Sequence, residues 1–404
     1  MATNKNMTKV VVIGDQAHAL GILRSLGRKG IPCYLLNDSS VCIGKFSRYC
    51  SKFIKMPDIN DETVFLKFLE KNSLGQGLEG AIIMPTDDAT VSLLSKYKHS
   101  LEKTYKIPTP IWDITKFAID KRLTYQIAKK NNIPVPRTIF PKNLEELYEE
   151  LPTITFPAIL KPAIMHHFYK KTKKKVVKTD TKDELIRAYK EVSSIIDPSE
   201  IMIQEIIQGG PELLYSFCSF FKQKKVMGML IARRTRQKPM DFGVGSTFVE
   251  TIYIPELEEL GTRLLTAIDY YGLSEIEFKM DPIDGKFKLL EINARTWKWH
   301  TLAIQAGVDF PYLLYQDMMG EEVKSIISFK ENIKWLDIIR DTEVVIGEVL
   351  NGNMKLREYL RSLKGKKEYA TFSMDDALPF IIEAILVPYR LVQKSLKNSG
   401  GEFL

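Results

Sequence analysis

Cysteine is scarce in this chain of 404 residues: four thiols, Cys33, Cys42, Cys50 and Cys218, have neither CxxC spacing nor the density of a disulfide framework. That sets aside zinc ribbons and stapled secreted scaffolds, and free thiols are expected. No unbroken apolar run is long enough to cross a bilayer, and the start, MATNKNMTKVVVIG, enters a strand almost at once instead of a secretory signal. The cytoplasm is the expected compartment. Internal repeats are missing, and low complexity is confined to the run of lysines between Lys170 and Lys178. The dinucleotide fingerprint GxGxxG is also incomplete. After the first apolar run the chain reads Gly14-Asp15-Gln16-Ala17-His18-Ala19-Leu20-Gly21, without the glycines that let a backbone approach a pyrophosphate. Asp38, near the end of the next strand, keeps an NAD enzyme open on fold grounds alone.

What is present belongs to a globular chain of two or three domains, 45% hydrophobic and 27% charged. The net charge of +8 favours anionic partners, from nucleotides and phosphorylated substrates to nucleic acid and anionic lipid. Lys9 to Gly14, Ala17 to Lys29 and Pro32 to Leu36 read as strand, helix, strand, the opening of a doubly wound α/β unit. A later strand, Ala81 to Met84, runs into Pro85-Thr86-Asp87-Asp88. Gly14, Asp15, Thr86 and Asp87 thus fall at strand carboxyl ends, where open α/β sheets bind ligands, and Thr86 and Asp87 equally suit a helix cap. After Ile107 to Pro110 the texture changes. Asp120-Lys121 opens a helix, Lys161 ends the short strand Ala158 to Pro162, and Ile201 to Ile207 forms a strong strand with Gln204 and Glu205. Arg233, Arg234 and Arg236 precede the turn Asp241 to Ser246, as an anion clamp or as a solvated edge.

The stretch from Glu277 to Arg295 has the richest chemistry. Asp284-Gly285 is a hairpin signal, so Glu277 on one arm can meet Glu291 on the other, with Asn293 on the same face as Glu291. Two carboxylates and an amide oxygen suit magnesium, and Arg295 sets a permanent cation beside them. Solvated hairpin carboxylates are the bland alternative.

These signals together resemble the carboxylate–amine ligase branch of the ATP-grasp superfamily, including D-aspartate ligases. The resemblance rests on Asp120-Lys121, Phe156 to Pro162, Gln204-Glu205 before Gly209, Arg234 to Gly245, Ile276-Glu277-Phe278 and Leu290 to Arg295, in that order. It implies an α/β and α+β protein in three parts: a Rossmann-like domain over 1–112, a two-subdomain ATP-grasp domain over 113–322 with a lid at about 137–207, and a C-terminal helical extension over 323–404. By the same resemblance, Lys121 and Lys161 contact ATP phosphates, Gln204, Glu205, Ile206 and Ile207 border the adenine, and Glu212 meets the ribose. Glu277, Glu291 and Asn293 hold Mg2+, for which Mn2+ can substitute, and Arg295, helped by Lys161, Arg234 and Arg236, stabilises the transferred phosphoryl group. Gly14, Asp15, Thr86, Asp87 and Trp297 fall to the substrates. Two departures stand out: the segment Ala163 to Lys171 holds no glycine, and Trp297, Lys298, Trp299 and His300 are bulky for the residues after the metal asparagine. His166 and His167 are candidate substrate contacts in that segment. The implied reaction joins a small carboxylic acid to an amine through an acyl phosphate. A bicarbonate-using carboxylase, a carbamoyl-phosphate type of enzyme and a non-catalytic nucleotide-binding module are the alternatives. Nucleic acid is not an expected partner; peripheral membrane contact, through an apolar stretch at Leu378 to Val392, and a homo-oligomer stay open.

Overall fold

The computed structural model describes residues 7–164, 168, 176–241, 243 and 245–387. Its first sheet is built from strands β1 (Val10–Ile13), β2 (Cys33–Asn37), β3 (Cys50–Lys55) and β4 (Ile82–Pro85), all parallel in the order β3-β2-β1-β4. The four residues of β1 are all buried, as parallel strands covered on both faces must be. The lid is a four-stranded antiparallel sheet, β5 (Thr138–Ile139), β6 (Ala158–Pro162), β7 (Val177–Thr179) and β8 (Ile201–Glu205), in the order β5-β8-β6-β7. Helices Leu144–Glu150 and Lys182–Ser193 pack on it through Leu147, Leu185, Tyr189 and Val192.

The third sheet has seven strands: β9 (Leu214–Lys222), β10 (Lys225–Lys238), β11 (Gly245–Thr251), β12 (Gly272–Met280), β13 (Phe287–Asn293), β14 (Lys334–Leu336) and β15 (Lys367–Tyr369), in the order β13-β12-β9-β10-β11-β14-β15. One face meets the helix Pro255–Ala267 through Leu257, Leu260 and Leu264. The other shares a continuous core with the N-terminal sheet, in which Val10, Val12 and Leu23 join Phe220, Leu230, Trp297, Phe310 and Trp335.

Three expectations change. The C-terminal segment is not a separate helical extension: β14 and β15 extend the large sheet, so the expected boundary at 322 cuts through one unit. Strand β11 starts inside the stretch read as a turn, and β3 was not foreseen, because only part of each is apolar. Of the apolar stretch 378–392, residues 378–387 are helical and the remainder lies outside the described residues, as do His166, His167 and most of the lysine run. Among the described residues no helix is long and apolar enough to cross a membrane.

Candidate active site

The hairpin of β12 and β13 turns through Asp281 to Lys286, with Gly285 at φ +70°, a conformation that glycine adopts without penalty. Its register sets Glu277 opposite Glu291 and Glu275 opposite Asn293. A β-bulge between Glu277 and Phe278 leaves Leu290 unpaired, an irregularity that re-aims side chains beside a site. The side chains converge as cation–carboxylate pairs. Lys121 Nζ lies 3.0 Å from Glu291 Oε2, and Arg234 Nη2 lies 3.0 Å from Glu277 Oε1. The Asn293 amide bridges the row: its Nδ2 donates to Glu275 at 3.1 Å and to Glu277 at 3.4 Å, and its Oδ1 accepts from Arg295 at 3.0 Å. Arg295 in turn donates to Asp88 at 2.7 Å, which ties the site to the first turn of the helix Asp88–Lys96 in the N-terminal unit.

Burial opposes the charge of Lys121, Arg234 and Arg295. The carboxylates beside them, Glu291, Glu277 and Asp88 in turn, outweigh it and raise each pKa, so all three stay cationic. Glu275 is a buried acid of this row. Burial, and then the neighbouring Glu277, push its carboxyl up to about 8.

Lys121, Arg234, Glu277 and Glu291 line a cleft of about 530 Å³ between the lid and the large sheet, and Asn293 and Arg295 continue the row of hydrogen bonds from Glu277. The lid contributes Ile159, Lys161, Lys178 and the strand end from Gln204 to Gly210; the sheet contributes Arg234, Lys279 and Glu291; and Lys121 enters from its helix. Asp120 caps that helix by accepting from the Arg122 backbone N–H at 2.9 Å, which fixes where Lys121 emerges.

Several expected residues serve the framework instead. Gln204 Nε2 donates to Tyr125 and Thr138, so its side-chain amide is held by the framework at the edge of the cleft. The Glu205 carboxylate accepts from Lys288 and from the Arg137 backbone, and Glu212, which does not line the cleft, accepts from the backbone of Gly210, which does. Asp87 caps its helix by accepting from Thr90, Thr86 donates to the Ile13 carbonyl, and Asp15 accepts from the Ile43 backbone. Gly14, at φ +136°, lies so close to the Thr86 hydroxyl that a Cβ would collide with it. These four stand at one end of the N-terminal sheet, joined to Arg295 through Asp88.

Arg236 is not part of the site. It pairs with the fully buried Asp341 at 2.8 Å and packs against Phe248 and Tyr359, because register shifts on either side of it turn it away from Arg234. Trp297 is not at an acceptor pocket. It is buried against Trp299 and Phe310 in the shared core, as a large apolar ring following a sheet strand tends to be. Sequence reasoning missed Glu275, Asp88 and Lys279, the last donating to the carbonyls of Ile207 and Gly209. For Glu275 a signal existed: it stands two residues before Glu277 and therefore on the same face.

The donor set fits a magnesium–nucleotide pair. Among the described residues no three His, Cys, Asp or Glu side chains cluster to cage a metal. Glu277 and Glu291 are both among the cleft's lining residues, and magnesium characteristically takes one or two carboxylates and completes its shell with water and phosphate. Arg234 Nε is buried without a hydrogen-bond partner, a donor that an anionic group can satisfy.

A four-stranded sheet facing a large, mostly antiparallel sheet across this charged cleft is the architecture of the ATP-grasp fold. The comparisons fit that superfamily. The D-aspartate ligase of Enterococcus faecium (strain Aus0004) is 22% identical over 322 residues, covering 76% of each chain. The biotin carboxylase domain of Hydrogenobacter thermophilus 2-oxoglutarate carboxylase, solved with MgADP, ADP and bicarbonate, has a TM-score of 0.64 at 18% identity, over 81% of this chain and 73% of that one. An L-amino acid ligase from Bacillus licheniformis has a TM-score of 0.60 at 16% identity, over 77% of this chain and 74% of that one. No family model matches the chain.

Proposed function

We propose that the protein is an ATP- and magnesium-dependent carboxylate–amine ligase that forms an amide through an acyl phosphate. The observation that carries this reading is the pairing Lys121–Glu291 and Arg234–Glu277 on one cleft, continued from Glu277 through Asn293 and Arg295 to Asp88. ATP with its magnesium supplies the phosphoryl group and the driving force. Glu277, Glu291 and the Asn293 amide would hold the metal. Lys121 and Lys161 would hold phosphate oxygens; Lys121 can exchange its partner Glu291 for phosphate once a metal takes up that carboxylate. The backbone from Glu205 to Ile207 would meet the adenine and Glu212 the ribose.

Arg295 is held between Asp88 and Asn293 and stays charged, so its guanidinium is preorganised to meet charge that develops during transfer. A substrate carboxylate oxygen bonds to the γ-phosphorus as the bond to ADP breaks. The amine nitrogen then attacks the acyl carbon, loses a proton and expels phosphate. Closure of the lid keeps water from the acyl phosphate. The N-terminal loops at Gly14–Asp15 and Thr86–Asp87, joined to Arg295 through Asp88, would border the acid or the amine. The D-aspartate ligase relative supports an amino acid as one substrate, and we include in the proposal a role in cell-wall or surface-polymer precursor synthesis. The carboxylase neighbour, solved with bicarbonate, supports bicarbonate as the competing first substrate.

The test is a screen of D- and L-amino acids, other carboxylic acids and bicarbonate for acid-dependent ADP release, with hydroxylamine present as a trap. An organic acid should stimulate ADP release and yield its hydroxamate. Release stimulated by bicarbonate alone, or ATP binding with no hydroxamate from any acid, refutes the ligase reading.

A further inference from the structure

The C-terminal helices leave apolar side chains in solvent in a regular pattern. In the helix Ile338–Leu350, Asp341 and Val345 are buried, while Ile346 and Leu350, about one turn apart, are more than half exposed. The helix Leu356–Ser362 has no buried residue. Its Tyr359 and Ser362 meet Arg236, and Leu356 and Leu360, again one turn apart, are more than half exposed. Both helices contact the same buried Arg236 guanidinium, through Asp341 and Ser362, and so lie next to each other over it. A third helix, 378–387, is joined to the first by the Arg340–Glu383 pair and exposes Leu378, Ile381 and Ile385 at helical spacing.

Around these leucines stand Lys355, Arg357, Arg361, Lys364 and Lys366, all exposed, and none forms an ion pair with a described residue. Glu358 is the one carboxylate between Lys355 and Lys367. Singly exposed leucines need no explanation. Leucines one turn apart, flanked by unpaired cations, form the pattern of a surface that lies on a charged interface. A second copy of this chain is a poor occupant, because a two-fold contact would set the same five cations against each other.

We propose that this face docks on an anionic membrane, with Leu356 and Leu360 entering the headgroup boundary and the flanking cations meeting anionic headgroups. The attachment is peripheral and reversible, since it rests on a few apolar side chains and a basic rim. It is independent of the reaction assigned to the cleft.

The experiment sediments the full-length protein with vesicles of phosphatidylcholine alone or mixed with phosphatidylglycerol. Binding should be at least about ten-fold greater to the anionic vesicles and should weaken as salt is raised. Two double variants separate the contributions: Arg357→Glu with Arg361→Glu should abolish the anionic preference, and Leu356→Ser with Leu360→Ser should weaken binding by about ten-fold. ADP release and circular dichroism should stay at wild-type values in both. The proposal is overturned by equal binding to the two vesicle types, by no binding, by anionic binding that survives both double variants, or by self-association through these residues in place of vesicle binding.

Discussion

Arg295 donates to Asp88, Asn293 and the Thr296 carbonyl, and these attachments fix its guanidinium beside the Asn293 amide. A lysine keeps the charge and loses the planar fork. Arg295→Lys should lower kcat for acid-dependent ADP release by about 100-fold or more while leaving Tm within a few degrees of wild type. Arg236 should behave in the opposite way. Its pair with Asp341 is buried, so Arg236→Ala strands a carboxylate in the core and should cost about 3–5 kcal/mol, read as a lower denaturation midpoint, with turnover per folded molecule little changed. From sequence Arg236 looks equivalent to Arg234, since residues two apart on a strand share a face. The irregular register around Arg236 breaks that alternation, and neither composition nor spacing announces it. Glu277, Glu291 and Asn293 were legible for the complementary reason: a two-residue period on each arm and one turn signal were enough to bring them together. Trp297 misled because an aromatic residue next to a functional strand is equally well explained by the core behind it.

At the level of elements, the site depends on where helices begin. Lys121 is the first residue of its helix, and the Asp120 cap and the Asp120–Arg122 pair determine its direction. Asp120→Ala should destabilise the chain by about 1 kcal/mol and also raise KM for ATP, a combination that a purely structural cap would not produce. ATP-concentration curves alongside denaturation measurements check it. Apolar runs made the parallel β1, β2 and β4 and the lid strands β6 and β8 readable. The short strands β14 and β15 were not, because they gain their stability from pairing with an existing sheet edge, and no local propensity foretells that.

Across the whole molecule, the N-terminal sheet and the large sheet share one core, and His300 stands at their junction. Its Nδ1 contacts the Trp297 carbonyl at 2.8 Å, its Nε2 is buried without a hydrogen-bond partner, and Gly21 of the first helix packs directly against the ring. Burial lowers the His300 pKa from 6.5 to about 4. Between those values the unfolded chain binds the extra proton, so stability rises with pH across this window and is lost as pH falls through it, by roughly 3 kcal/mol in all. Chemical denaturation midpoints should therefore drop between pH 6.5 and 4, and His300→Gln should flatten that slope.

The fate of the carboxylate oxygen tests the assigned chemistry most directly. When the acid that stimulates ADP release is supplied with both carboxylate oxygens isotopically labelled, each phosphate released during amide formation should carry one labelled oxygen, as transfer through an acyl phosphate requires. Unlabelled phosphate, formed at the same rate as the amide, would contradict that route and with it the ligase mechanism.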